Sequence, residues 1–250
     1  QAAIEAYRHS LAINNHHAEA HMNLGMALLA VENFAEGWAH FEWRVLTTPF
    51  LRNPIRHPSI PRWTGQDVQA RKVLLLAEQG FGDTIQFCRY AVSLARRGAK
   101  VTLVAQSRLV RLLSALPGVT VVSEIDVETG QQFDFYALMM SLPAYFDDYS
   151  ADEYFDFFSR TYKIDDLESK WTTLLPRQGF AIGICWTAGS VSTVKGRDVP
   201  FELVSQLFGL NAQFVSLQKE LSPAEAAISR GKKNFYHFGQ QQHDFADAAA

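Results

Sequence analysis

Cysteine is scarce in this 250-residue chain: Cys88 and Cys185 stand alone, each inside an apolar run. No close Cys/His spacing accompanies either, which argues against a disulfide framework or a metal site. Both read as buried free thiols in a reducing compartment, so the expected location is cytoplasmic. No run of 18 apolar residues occurs, and no membrane span is expected. No signal peptide opens the sequence. An excess of one charge is also missing. The net charge of −3 gives no bulk attraction to nucleic acid or anionic lipid.

Two phosphate-binding signatures are absent as well. Gly80-Phe81-Gly82 is followed by isoleucine at position 85, so the G-x-G-x-x-G pattern of dinucleotide enzymes is incomplete. The lysine and hydroxyl residue of a P-loop are lacking too. Classical NAD binding and P-loop hydrolysis are both disfavoured.

What is present is a folded, core-forming composition, with 48% hydrophobic and 20% charged residues. Residues 3–46 carry helical spacing: Ile4, Tyr7 and Leu11, then Met22, Leu24, Leu28 and Leu29, then Phe34, Trp38, Phe41 and Val45. Asn14-Asn15-His16 and Glu32-Asn33 punctuate them as turns. Short helices with short turns form hairpins that must stack on something to bury their faces. Residues 47–71 hold four prolines and read as an extended linker anchored by Trp63.

From Lys72 the pattern alternates between strand and helix. Strands are expected at 73–77, 101–105, 119–122, 133–136, 181–186 and 213–217. Helices are expected near 83–97, 107–115, 200–209 and 223–229. Such alternation means a mostly parallel α/β sheet covered on both faces. Between Glu124 and Glu168 twelve acidic residues face two basic ones, with aromatics interleaved, and this stretch reads as a bridge between two lobes. The expected domains are 1–46 helical, 47–71 linker, 72–175 first lobe with its bridge, and 176–250 an incomplete second lobe. The first residues read as mid-helix and the last as the start of another helix, so both ends read as cut.

Chemistry concentrates at two places. Glu78-Gln79-Gly80-Phe81-Gly82-Asp83 follows the first strand and opens a helix. Gly80 and Gly82 allow a sharp turn with exposed N–H groups beside a helix terminus, which suits an anion. Asp83 has two readings, a helix cap that accepts a backbone N–H, or a carboxylate at a strand end that takes a proton from a hydroxyl. Glu78 is a further catalytic or ionic candidate, Gln79 and Gln86 could orient a sugar hydroxyl or simply bond to the backbone, and Arg89 could reach an anion. The second place is the apolar strand ending in Trp186. The small-residue turn Thr187-Ala188-Gly189-Ser190 and the pair Lys195 and Arg197 come after it. Small residues with nearby cations suit a diphosphate, although an exposed basic turn paired with Asp198 would look the same. Gln218 and Lys219 lie just past another strand end, where Lys219 could meet a nucleotide or pair with Glu220.

Residues 3–46 resemble the tetratricopeptide repeat through Ala3, Tyr7, Asn15, Leu24, Gly25, Leu28, Gly37 and Phe41. Arg44 replaces a small residue of that pattern, so the last unit resembles a divergent cap welded to the linker and the first lobe. Residues 61–247 resemble bacterial tetratricopeptide-repeat glycosyltransferases related to the ADP-heptose lipopolysaccharide heptosyltransferases. The stretches that carry this are Pro61-Arg62-Trp63, Glu78 to Tyr90, Leu109 to Val119, Phe133-Asp134, Ser141-Leu142-Pro143 and Gly183 to Gly189. Arg197, Ser216 to Lys219 and Asp244 to Asp247 continue it. The resemblance implies a GT-B fold of two Rossmann-like lobes with the active site between them, and a metal-independent, inverting transfer that needs no cofactor. A sugar is expected to pass from a nucleotide-sugar donor to a protein or surface-glycan acceptor. It implies Asp83 as the base. It places Gly80, Gly82, Gln86, Trp186, Gly189, Lys195, Arg197, Gln218 and Lys219 around the substrates, with a further protein partner on the repeats. Asp198 stands where the family commonly has serine, and Thr187-Ala188-Gly189 lacks its usual Gly-Asn. The family's Asp-Thr-x-x-x-His segment would begin beyond Ala250, and a chain without it is expected to have little transferase activity. The alternative is a repeat scaffold carrying an inactive transferase-like lobe.

Overall fold

The computed structural model describes residues 1–47, 60–125, 132–146, 165–176, 178–187, 196 and 198–249. The chain divides into two compact units, Gln1–Tyr162 and Lys163–Ala250. The helix Asp165–Leu174 falls in the second unit, ahead of the expected boundary.

The first unit opens with α1 (Ala2–Ile13), α2 (Ala18–Leu29), α3 (Phe34–Phe41) and the short α4 (Arg44–Thr47). The nitrogen of His17 caps α2 by accepting the Ala20 N–H at 3.1 Å. Helices α2 and α3 approach closely because Gly25 and Gly37 lack side chains. A Cβ on Gly25 would lie 2.5 Å from the Phe41 nitrogen. The expected helices and turns are therefore present, and Leu24, Leu28 and Phe41 are buried between them.

The sheet of this unit comes next, with β1 (Lys72–Leu76), α5 (Phe81–Phe87), α6 (Arg89–Arg96), β2 (Lys100–Val104), α7 (Ser107–Leu113), β3 (Val119–Val122) and β4 (Phe135–Leu138). All four strands are parallel, in the order β3-β2-β1-β4. Their continuous apolar runs agree with burial, since Val73, Leu74 and Leu75 are fully covered. Strand β4 begins two residues later than the sequence suggests. The cause is Asp134, whose carboxylate accepts the Lys72 N–H at 2.8 Å and whose own N–H bonds to the Lys72 carbonyl. A 3₁₀ segment, Met139–Tyr145, leaves the end of β4.

Part of the linker is a sheet element. Arg62 forms a parallel bridge with Tyr136, supported by Trp63 N–H to the Tyr136 carbonyl at 2.7 Å and Tyr136 N–H to the Pro61 carbonyl at 3.0 Å. Trp63 is buried against Tyr145 and Phe146, as an anchoring tryptophan should be. The helices also pack on the lobe. Trp38 meets Phe87 edge-on at 5.6 Å, and Val45 joins the cluster of Leu74, Leu76 and Leu138.

The second unit holds α8 (Asp165–Leu174), β5 (Ala181–Ile184), α9 (Phe201–Val204), a 3₁₀ turn, β6 (Gln213–Ser216), α10 (Pro223–Ser229), β7 (Phe235–His237), a second 3₁₀ turn (Gly239–Gln241) and α11 (Phe245–Ala249). Its parallel sheet has the order β5-β6-β7. Trp186, Phe201, Phe208 and Phe214 form its core. Among the described residues no helix is long and apolar enough to cross a membrane.

Candidate functional site

In an order of β3-β2-β1-β4, successive connections reverse direction between β1 and β4. Open parallel sheets place ligands outside the carboxyl ends of the strands at such a switch point. The loop Glu78–Asp83 leaves β1 there, and Met139–Ser141 leaves β4 beside it.

The loop is built differently from a glycine-turned cradle. Its left-handed residue is Gln79, with φ +64°, whereas Gly80 is extended at φ −86° and ψ 172°. A Cβ on Gly82 would meet nothing within 4 Å. Gly82 is not needed for the turn, whereas a Cβ on Gly80 would press on Asp83 Oδ2 at 3.2 Å. Asp83 Oδ2 accepts the Gly80 N–H at 3.0 Å, so the loop's own carboxylate takes a donor that an anion would have used. The capping reading of Asp83 is thus seen directly. Asp83 stays partly exposed, and Oδ1 makes no hydrogen bond among the described residues. Gln106, from the turn after β2, braces the loop. Its amide donates to the Gln79 carbonyl at 3.3 Å and accepts from Thr84 Oγ1 at 3.0 Å. Gln86 is exposed one turn further along α5.

Glu78 is an ionic residue with a buried partner. Arg44 of α4 forks onto its two carboxylate oxygens, Nε to Oε2 at 3.1 Å and Nη2 to Oε1 at 2.7 Å. Glu78 Oε1 also accepts the Met140 N–H at 3.0 Å. Arg44 donates further to Ser141 Oγ at 2.9 Å and Glu42 Oε1 at 2.6 Å, and Arg62 donates to Ser141 Oγ at 2.7 Å and to Glu42. Two arginines and two glutamates thus balance in charge around one serine. Burial works against the Arg44 charge, but the hydrogen bonds and charge of Glu78, with those of Glu42, outweigh it and raise its pKa. Arg44, Arg62, Ser141 and Gln106 escaped the sequence reading as site residues. The one available signal was an arginine in a small-residue position.

In the second unit Trp186, Gln218 and Lys219 each have a partner within the unit. Trp186 is a core residue: it is buried, packs on Phe201, and its indole N–H donates to Glu225 Oε1 at 2.5 Å. Burial acts to raise the Glu225 pKa, but bonds from the Ser222 backbone and Trp186 hold it below its ordinary value. Gln218 is buried and accepts the Cys185 S–H at 2.7 Å. Lys219 donates to the Gln242 carbonyl rather than pairing with Glu220. Gly189, Lys195 and Arg197 lie outside the described residues. Asp244 accepts the Ala246 and Asp247 N–H groups and so caps α11, while buried Asp247 binds Lys170 at 2.9 Å. Cys185 is exposed, which corrects its expected burial, because β5 alternates between exposed and half-covered residues. Cys88 is buried, and burial pushes its thiol up to about 12. Among the described residues no three His, Cys, Asp or Glu side chains group to hold a metal ion.

The chain is thus a mixed α/β protein with two parallel sheets flanked by helices, broadly Rossmann-like, with a helical segment fixed to the first sheet. No family model matches it, and no solved structure matches it. It is 39% identical over 62 residues to Protein FlbA of Caulobacter vibrioides, across 24% of this chain and 10% of that protein. The chain therefore spans only a small part of the length of that relative.

Proposed function

We propose that the chain is part of an inverting, metal-independent glycosyltransferase of GT-B type, preceded by tetratricopeptide-like repeats. The observation that carries this reading is Asp83: a partly exposed carboxylate at the carboxyl end of β1, beside the switch point, with Oδ2 held by Gly80. A carboxylate oriented through one oxygen keeps the other for a proton. In this reading Oδ1 takes the proton of an acceptor hydroxyl. The hydroxyl oxygen bonds to the anomeric carbon as the bond from that carbon to the nucleoside diphosphate breaks. The resemblance assigns the departing diphosphate to Lys195 and Arg197, which lie outside the described residues. The acceptor is a protein hydroxyl or a surface-glycan sugar, and the repeats offer a surface for a protein partner.

The test is a screen of UDP-, GDP- and ADP-sugars for hydrolysis and transfer, comparing wild type with Asp83→Asn in the longest chain that contains these units. Turnover that falls by about a hundredfold or more in the variant, with donor binding retained, supports the reading. Wild-type turnover unchanged by the substitution removes Asp83 as base. Absence of both turnover and donor binding favours the scaffold.

A further inference from the structure

We propose that Arg44, supplied by the helical segment, is a positioning residue for Asp83: it fixes Glu78, and Glu78 fixes the backbone on both sides of the switch point. Only the catalytic consequence rests on the glycosyltransferase reading.

Glu78 is the last side chain before the turn, and its carboxylate is buried. Through Met140 N–H it ties the exit of β4 to the exit of β1. Through the Arg44 fork it ties both exits to α4, from a residue 34 positions earlier in the chain. Gln79 comes immediately after it, in the left-handed region. That conformation is unfavourable for a non-glycine residue and persists only where its surroundings over-determine it. Here three pins surround it: the Glu78 carboxylate before it, the Gln106 amide on its carbonyl, and Asp83 on the Gly80 N–H after it. The first pin depends on Arg44. Without the guanidinium, a buried carboxylate must take up a proton or turn towards water. Either change weakens the Met140 bond and frees Gln79 to relax, and Asp83 moves with Gly80.

An arginine from the preceding helices bonds to Glu78 after β1 and to Ser141 after β4. The helical segment is therefore joined to the loop that carries Asp83 by directed hydrogen bonds as well as by apolar packing.

The test is amide hydrogen exchange on this chain, comparing wild type with Arg44→Met, Arg44→Lys and Ser141→Ala, alongside kcat and KM for sugar transfer. In Arg44→Met the amides of Gly80 and Met140 are expected to exchange about tenfold faster or more, while the central amides of β2 and β3 keep their protection. Arg44→Lys retains a point charge but not the fork, so an intermediate effect at the same amides is expected. Ser141→Ala removes one contact of Arg44 and is expected to do least. Where transfer is measurable, kcat falls with donor KM unchanged. Exchange unaltered at Gly80 and Met140 in both arginine variants overturns the proposal. So does uniform loosening of the whole first unit, which would make Arg44 a stability residue only; if Arg44→Met unfolds, the lysine variant decides. Faster local exchange in a wild-type background that turns over no donor keeps the positioning and removes the transferase reading alone.

Discussion

The Nδ1 atoms of His21 and His40 lie 2.7 Å apart, with the two rings stacked at 4.9 Å. Such a contact holds one proton between two nitrogens. His21 Nε2 also meets the Asn15 carbonyl at 3.0 Å and therefore carries a hydrogen. With that hydrogen on Nε2, His21 accepts at Nδ1 and His40 donates.

Acid should loosen this pair. Burial, followed by the His21 charge, lowers the His40 pKa, with Glu36 opposing and Arg8 adding to the lowering. The unfolded chain therefore takes up the proton first. Stability is full above about pH 6.5 and declines as pH falls from there towards the lower folded value. His40→Asn keeps an N–H donor without the titration. Thermal melts of the variant should show a shallower loss than wild type as pH falls below about 6.5. Parallel curves for the two proteins would exclude His40 as the source.

Gly25→Ala should destabilise the helical segment. Its Cβ would sit 2.5 Å from the Phe41 nitrogen and 2.9 Å from the Gly37 carbonyl, both backbone atoms that cannot swing aside. Overpacking of this kind costs about 1–3 kcal/mol. Urea unfolding followed by tryptophan fluorescence reads it through Trp38 and Trp43. A loss under about 0.5 kcal/mol would mean that α3 can slide.

The two loop substitutions Gly82→Ala and Gln79→Gly separate stability from use. Gly82→Ala fills open space in the first turn of α5 and should be neutral or stabilise by up to about 1 kcal/mol. Gln79→Gly relieves the left-handed strain and should not lower the melting temperature. A drop in sugar transfer at undiminished stability would assign the Gln79 side chain, or the bare surface of Gly82, to substrate contact. Unchanged transfer in both would leave only their backbone geometry relevant.

Trp186→Phe tests a core role against a nucleotide contact. Loss of the N–H leaves the half-buried Glu225 carboxylate one partner short, at a cost of about 1–3 kcal/mol. Glu225 is held below its ordinary pKa, so the stability it contributes is present at neutral pH and fades as pH falls through the folded value. Trp186→Phe should shrink that acid-side loss. Calorimetry with nucleotide sugars should find affinity unchanged. A selective fall in affinity at unaltered stability would return Trp186 to the ligand.

Much of the fold was legible because it rests on local rules. The helical spacing of Leu24, Leu28, Phe34 and Phe41, the apolar run Val73–Leu76 and the turns at Asn14-Asn15-His16 and Glu32-Asn33 all act within a few residues. Strand β7 was missed because Phe235-Tyr236-His237 is too short to show alternation, and its Phe235 is recruited by a distant core. The site was legible only in part. The placement of Asp83 follows from strand, turn and helix, but the identity of the turning residue does not. A glycine pair drew the expectation, while Gln79, held from three sides, adopted the conformation. The Arg44–Glu78 fork spans two structural layers, and no periodicity links its partners.

Sheets with unpaired rims invite strands from other molecules. The bridge between Arg62 and Tyr136 lies along the outer side of β4, where it occupies the Tyr136 amide and carbonyl. Because that cover arrives from earlier in the same chain, shortening the protein from its front past Trp63 would bare the rim. Such a truncation would turn a lobe that looks self-contained into a template for intermolecular β-pairing.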